Sequence, residues 1–272
     1  MFSKTAKSTI IGVSFSILLI TSSMVVSGHI GLFWNLPSAL ITIGGTFGAV
    51  LVSFPPSRLK TLGPVMMKAF RREKFDIAKD VETIITLAEV SRKEGLLALE
   101  DYIEQYTNDE FLKKGIMLII DGADEDQLRT SLEGATYFMQ QRHHKGHAML
   151  DMIAATAPSL GLLGTYIGLI PMLNNLDDPT TLGPMMALEL VSSFYGGFIA
   201  YVIFSPICKR LKIMSSEEVS RREILIEGLS YIQQGKNPKI ISEQLIAYMN
   251  IKPFNDTGKK QIQEKFSAEE VA

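Results

Sequence analysis

Met152-Ile-Ala-Ala-Thr-Ala-Pro158-Ser-Leu-Gly161-Leu-Leu-Gly164-Thr165-Tyr-Ile-Gly168-Leu-Ile-Pro-Met-Leu-Asn-Asn-Leu176 runs without a charged side chain. A helix needs about 20 mostly apolar residues to cross the hydrocarbon core of a bilayer. This stretch is long enough, and three others match it. They run from about Thr9 to Val26, from Leu36 to Phe54, and from about Met185 to Cys208, the last with one acid, Glu189. Segregation of apolar blocks from charge predicts an all-α, polytopic membrane protein with four transmembrane helices and a helical cytoplasmic domain. The expected layout is a hairpin over 1–54 (spans about 9–26 and 36–54) and a cytoplasmic helical loop over 55–150. A second hairpin over 151–208 follows (spans about 152–174 and 185–207), then a cytoplasmic helical tail over 209–272 with a disordered end. The first block, preceded by Lys4 and Lys7, has the look of a leader. The second block follows after a very short loop, which favours a retained hairpin.

Basic residues set the orientation. The loops Ser27–Asn35 and Asn174–Pro184 contain no Lys or Arg. Arg58, Lys60, Lys68, Arg71 and Arg72 follow the second block, Arg142 and Lys145 precede the third, and Lys209, Arg210 and Lys212 follow the fourth. The positive-inside rule puts these clusters and both termini in the cytoplasm, with the chain in the cytoplasmic membrane. Trp34 then suits the outer interface. Formal net charge is only −2, so bulk charge does not argue for a nucleic-acid binder. Cys208 is the single cysteine, so neither an intramolecular disulfide nor a cysteine-based metal site is available. It reads as a packing residue at a reducing boundary.

The loop reads as amphipathic helices. Phe75, Ile77, Ala78, Val81, Ile84, Ile85 and Ala88 recur at helical spacing, and Gly95 marks a break. Further helices are expected over Leu96–Tyr106, over Phe111–Asp121, and over Asp124–His147 with Asp124 as N-cap. Beyond Cys208 a helix continues to about Gln234, stops at Gly235-Lys-Asn-Pro238 and is followed by a short helix over Ile240–Met249. The polar stretch from about Pro253 is expected to be disordered.

Polar groups in lipid need partners. The small residues of blocks three and four allow close helix packing, which is the plainer account of each Gly and Ser. The alternative is that the hydroxyls of Thr165, Ser192 and Ser193 face an ion, since hard cations take oxygen donors. Pro158 lacks an N–H and weakens its helix, as a fixed bend or as a hinge. Glu189 is read as reaching the outer interface, and Asp151 as an interfacial or helix N-terminal charge. His143 and His147, four apart, lack the acid and third ligand of a metal motif, so no metal site is expected. No phosphate loop, nucleophile elbow or dinucleotide fingerprint occurs, which argues against an enzyme.

These features, taken together, resemble the MotA/PomA/MotP family, the larger subunit of flagellar motor stators. The resemblance is carried by Phe33-Trp-Asn-Leu-Pro-Ser38, Ile43-Gly-Gly-Thr46, Ser53-Phe-Pro-Pro56, Phe111-Leu-Lys-Lys-Gly115 and Asp121-Gly122. In the second half it rests on Ala157-Pro158, Gly164-Thr165-x-x-Gly168, Leu176-Asp-Asp-Pro179, Leu182-Gly-Pro184 and Phe194-Tyr-Gly196. It covers nearly the whole chain, to about residue 250. It implies an ion-driven motor without a cofactor, with Na+ or H+ as coupling ion. Five copies would ring the spans of two MotB-type (PomB, MotS) single-span partners, and an Asp on the partner would carry the ion. Arg92, Lys93 and Glu100 match the family's charges that meet the rotor switch protein FliG, and Pro158 and Pro206 match its conformational prolines. Thr165 with the Ser192/Ser193 pair looks like the sodium-type members, where the pair is usually Thr-Thr. Asn35 and Ala155 stand where acids are frequent, and Glu189 where a small apolar residue is usual. Other classes considered are an ExbB/TolQ-like proton-channel energiser, usually of three spans, and a self-contained secondary transporter, whose internal symmetry is not evident.

Overall fold

The computed structural model describes residues 4–28, 30–70, 76–106 and 109–251. Arg71, Arg72, Phe75 and the polar stretch from Pro253 lie outside the described residues. Every regular element among the described residues is helical. The chain forms two compact units, residues 1–73 with 142–214 and residues 74–141 with 215–272.

The first unit begins with α1 (Lys4–Val26). Asn35 caps α2 (Leu36–Ala39), and its Oδ1 accepts from the Ser38 N–H at 3.0 Å. Through a π-helical turn, Leu40–Gly44, the helix runs on into α3 (Gly45–Ser53). Phe54 is extended (φ −130°, ψ 135°), as expected of a residue before proline. Pro56 then opens α4 (Pro56–Leu59), and α5 (Leu62–Lys68) follows. Side chains of Leu62, Val65, Met66 and Phe70 pack against Leu150, Ile207, Cys208 and Leu211.

Three helical stretches are long and apolar enough to cross a membrane: Leu36–Ser53 and parts of Glu125–Asn174 and Leu182–Gln233. Ile10–Val26 is a shorter apolar helix. Phe15, Leu18, Phe47, Leu162, Ile170 and Leu190 are exposed on these stretches. Such surface suits lipid or a protein partner better than water.

The apolar stretch from Met152 and the amphipathic helix expected over Asp124–His147 are not separate. They form one helix, α9 (Glu125–Asn174), 50 residues long. Between His147 and Met152 the sequence offers neither glycine, proline nor cap to stop it. The change from amphipathic to uniformly apolar marks a change of surroundings, not of backbone. Asp151 therefore sits in mid-helix rather than at an N-terminus, and its carboxylate meets Lys212 Nζ at 2.6 Å. Pro158 and Pro171 are both carried inside α9.

After α10 (Pro179–Gly197), capped by Asp178, a π-helical turn Phe198–Phe204 leads into α11 (Ser205–Gln233). The Ser205 N–H donates back to the Ala200 carbonyl. This wider turn comes just before Pro206, which has no N–H to offer the preceding turn.

The second unit contains α6 (Ile77–Glu94), α7 (Ala98–Tyr106), α8 (Glu110–Ile120) and α12 (Pro238–Ile251), with the adjoining parts of α9 and α11. Gly95 (φ +91°) and Gly235 (φ +65°) end α6 and α11 in a conformation that favours glycine. Asp124 and Gln127 cap α9 reciprocally. The Gln127 N–H donates to Asp124 Oδ1 at 2.8 Å, and the Asp124 N–H to Gln127 Oε1 at 3.2 Å. Ile84, Leu87, Leu99, Ile116, Leu132, Leu225 and Leu229 make the core. Arg221 fastens α11 to the Asp80 carboxylate at 2.6 and 2.8 Å and to Asp109, the N-cap of α8.

Candidate functional site

Three glycines let α9 and α10 touch backbone to backbone. A Cβ on Gly161 would stand 2.8 Å from the Ser192 carbonyl oxygen, and one on Gly168 the same distance from that of Met185. One on Gly164 would meet Ser192 Cβ at 2.4 Å. The contact is returned by Gly196, whose Cβ would lie 2.6 Å from the Ala157 carbonyl oxygen and 3.0 Å from Pro158 Cα. Such small-residue contacts replace the hydrophobic effect as the source of helix association in lipid.

Three hydroxyls line one face of the helix over Leu36–Ser53, and two of them reach α10. Ser38, Thr42 and Thr46 are all buried. Ser38 Oγ lies 3.1 Å from the Leu188 carbonyl oxygen, and Thr42 Oγ1 donates to that of Ser192 at 3.3 Å. Thr46 Oγ1 bonds back to the Thr42 carbonyl at 2.6 Å. The Tyr195 hydroxyl donates to the Phe33 carbonyl, and the Asn35 N–H donates to the Tyr195 oxygen at 3.4 Å. Sequence reading missed this hydroxyl stripe. Its signal was three hydroxyls four residues apart in an otherwise apolar span, one face of a helix.

The candidate ion-path residues fall in different surroundings. Ser192 is fully buried in the hairpin, and its Oγ has no hydrogen-bond partner among the described residues. Ser193, one position on and so about 100° round the helix, is exposed. Thr165 is half-buried and donates to the Leu162 carbonyl at 2.7 Å. Pro158 is half-buried against Gly196. Thus Ser192 meets Gly164, and Pro158 meets Gly196, while Ser193 brings only its backbone, its Cα 3.3 Å from where a Gly161 Cβ would stand, and is itself exposed. Glu189 is half-buried, with its backbone N 3.2 Å from where a Gly168 Cβ would be. Ala155 is exposed on α9.

At the other end of this unit, the Cys208 thiol donates to Asp151 Oδ1 at 3.1 Å. His147 is buried one turn before Asp151, its ring 6.2 Å from that of His143. Burial, then the nearby His143 and Lys212, push its pKa down to about 4. No cluster of three or more metal-ligating side chains exists among the described residues.

The second unit carries the candidate rotor-facing charges. Arg92 and Lys93 occupy the last turn of α6, and Glu100 the first turn of α7, on either side of Gly95. Each placement suits its helix dipole. All three are exposed, and Lys93 Nζ lies 4.0 Å from Glu89. Arg92 also lines a groove of about 260 Å³ with Leu96 and Lys236.

The chain matches the model of the MotA/TolQ/ExbB proton channel family over residues 104–224, and that of the Motility protein A N-terminal region over residues 10–95. It is 36% identical to Motility protein A of Borreliella burgdorferi, over 89% of this chain and 92% of that one. It is 33% identical to chemotaxis protein PomA of Vibrio alginolyticus, over 89% and 94%. Among solved structures, it resembles the flagellar MotAB stator complex from Bacillus subtilis with a TM-score of 0.81 and 31% identity, over 93% of this chain and 98% of that one. Two family models along one chain, and relatives of this identity over most of its length, make it a member of the MotA/TolQ/ExbB proton channel family.

Proposed function

We propose that this chain is a flagellar motor stator subunit that conducts Na+ across the cytoplasmic membrane and turns ion flow into torque. The observation that carries the proposal is its similarity to Motility protein A and PomA across 89% of its length. The match to the Motility protein A N-terminal region favours a motor over an ExbB/TolQ-like energiser. On this reading the chain has four spans and cytoplasmic termini. Five copies surround the spans of two MotB-type single-span partners, which supply the mid-membrane Asp that these spans lack. The source of work is the ion gradient rather than an enzymatic reaction, at about 2.3 kcal/mol per charge for each 100 mV.

On this reading Ser193 and Thr165 meet the ion beside the partner, which their exposure, full for Ser193 and partial for Thr165, supports. Ser192 shapes the route from inside the hairpin, by spacing α10 from Gly164. Pro158 and Pro206 are the points at which the two long helices deform. Arg92, Lys93 and Glu100 meet complementary charges on FliG.

The test is a strain in which this is the sole stator. Deletion should leave filaments assembled and cells paralysed. Swimming speed should rise with sodium, and Thr165→Ala or Ser193→Ala should raise the sodium concentration needed for half-maximal speed. Unchanged swimming without sodium, abolished by a protonophore, would assign H+ instead. Loss of filaments on deletion would refute the stator role.

A further inference from the structure

Glu189 is the one charged residue in the four apolar stretches. It is half-buried on α10, and no Lys, Arg or hydrogen-bond donor meets its carboxylate among the described residues. An acid in a membrane span is costly unless something positive or hydrogen-bonding comes to it.

Helix geometry gives the side it faces. The helices α9 and α10 run antiparallel: Gly168 meets Met185 and Glu189, Gly164 meets Ser192, and Ala157 meets Gly196. At about 100° per residue, Thr165 lies roughly 70° round α9 from the line of Gly161, Gly164 and Gly168. Ser193 lies roughly 70° round α10 from the line of Glu189, Ser192 and Gly196, in the same sense along the chain. Equal rotations on antiparallel helices point to the same side, so Thr165 and Ser193 share one edge of the hairpin. Glu189 leans to that edge, roughly 40° from Ser193 and roughly 60° from the buried Ser192. The helix over Leu36–Ser53 takes the other edge. Ile41 packs 3.6 Å from where a Gly164 Cβ would be, and Leu160 packs 3.1 Å from where a Gly45 Cβ would be.

Three oxygen-bearing side chains therefore gather on the edge that this helix leaves uncovered. Thr165 spends its hydroxyl hydrogen on the Leu162 carbonyl, which leaves oxygen lone pairs for a cation. Ser193 is exposed. Gly168 makes room for the acid, since a Cβ there would stand 3.3 Å from Glu189 Cβ. A carboxylate and two hydroxyls make a donor set for a hard cation.

We infer that Glu189 captures the coupling cation, Na+ on the proposed reading, about one helical turn before it reaches Thr165 and Ser193. The inference rests on the stator function proposed above, which puts the loop Asn174–Pro184 outside. Glu189 is about 6 Å nearer that loop than Ser193 along the helix, so it stands at the outer mouth of the route. A fixed negative charge at a narrow entrance concentrates cations there.

The test uses the full stator complex as the sole stator of its strain, with tethered-cell rotation recorded against sodium and fluorescent stator counting. Glu189→Gln should raise the sodium concentration for half-maximal speed about tenfold, with a much smaller effect at saturating sodium. Glu189→Asp, which keeps the charge, should fall between Glu189→Gln and the parent. Glu189→Cys should behave as Glu189→Gln does. A membrane-impermeant methanethiosulfonate bearing a sulfonate should then lower its sodium requirement, and one bearing an ammonium should raise it. The native thiol, Cys208, is buried. An unchanged sodium requirement in Glu189→Gln, or an identical response to the two reagents, would overturn the inference. So would loss of stator assembly in both Glu189→Gln and Glu189→Asp, which would make the acid a pairing residue between subunits. A parent whose speed ignores sodium would instead remove the reading on which the inference rests.

Discussion

Gly164 and Ser192 compete for one space: a Cβ on the glycine would stand 2.4 Å from the Ser192 Cβ and 2.5 Å from its Oγ. Gly164→Ala should therefore force α9 from α10, at a cost of about 2 kcal/mol, and lower swimming speed. Ser192→Ala removes a buried hydroxyl without a partner among the described residues. It should change stability by less than about 1 kcal/mol. Thermal unfolding in detergent reads both. An unchanged midpoint for Gly164→Ala would show that the hairpin is looser than described.

His147 predicts an acid sensitivity of its own. Its pKa is pushed down to about 4, from an ordinary value of 6.5. Between these values the unfolded chain binds the proton and the folded chain does not. Stability contributed by a neutral His147 is thus lost as pH falls from 6.5 towards 4, by up to about 3 kcal/mol. His147→Gln should flatten unfolding midpoints across that window. An identical slope in variant and parent would assign the sensitivity elsewhere.

Arg221 should matter more than its surface neighbours. It is 16% exposed and holds Asp80 and Asp109 together. Arg221→Leu leaves two half-buried carboxylates facing each other and should cost about 3 kcal/mol. Burial raises the Asp109 pKa, but the Arg221 hydrogen bond and charge, with two backbone N–H donors, bring it below its usual value. A lowered carboxyl pKa stabilises above the unfolded value near 4 and loses that stability as pH falls further. This window lies below that of His147, and Arg221→Leu should shrink it. Denaturant titrations at stepped pH separate the two.

Arg92→Glu and Glu100→Lys should leave the fold within about 0.5 kcal/mol of the parent, since both side chains are exposed. Each should nevertheless slow or stop rotation while stators still gather at the motor. Opposite reversals on the rotor should restore it. Tethered-cell rotation with fluorescent stator counting reads torque and recruitment separately. Lost recruitment at full single-stator torque would point to an anchoring role.

Much of this was legible because its causes are local. Asp124 capping α9 and Gly95 ending α6 are decided within a few residues, and uncharged blocks announce spans by composition. Ala148-Met-Leu-Asp151 reads as a break between two helices because hydropathy changes there, but the backbone runs on unbroken. The hydroxyls of Ser38 and Thr42 were passed over because their acceptors lie 150 positions away. Ser192 and Ser193 looked equivalent side by side. Only the glycine ladder on α9 shows which of them is enclosed.

Across to α10, Thr42 bonds the backbone carbonyl of Ser192, and Ser38 has that of Leu188 in reach at 3.1 Å beside Asn35 Oδ1 at 3.0 Å. Every residue has a carbonyl, whatever its side chain. The hydrogen bonds that set α2 and the turn after it against α10 therefore read the backbone of residues 188 and 192 rather than their side chains. Side chains of α10 that turn away from the glycine contact, Ser193 among them, can be exchanged without releasing this fastening, whereas Ser192 and Gly196 are held by close packing against α9. A scaffold so joined lets selection change its outward side chains and keep its alignment.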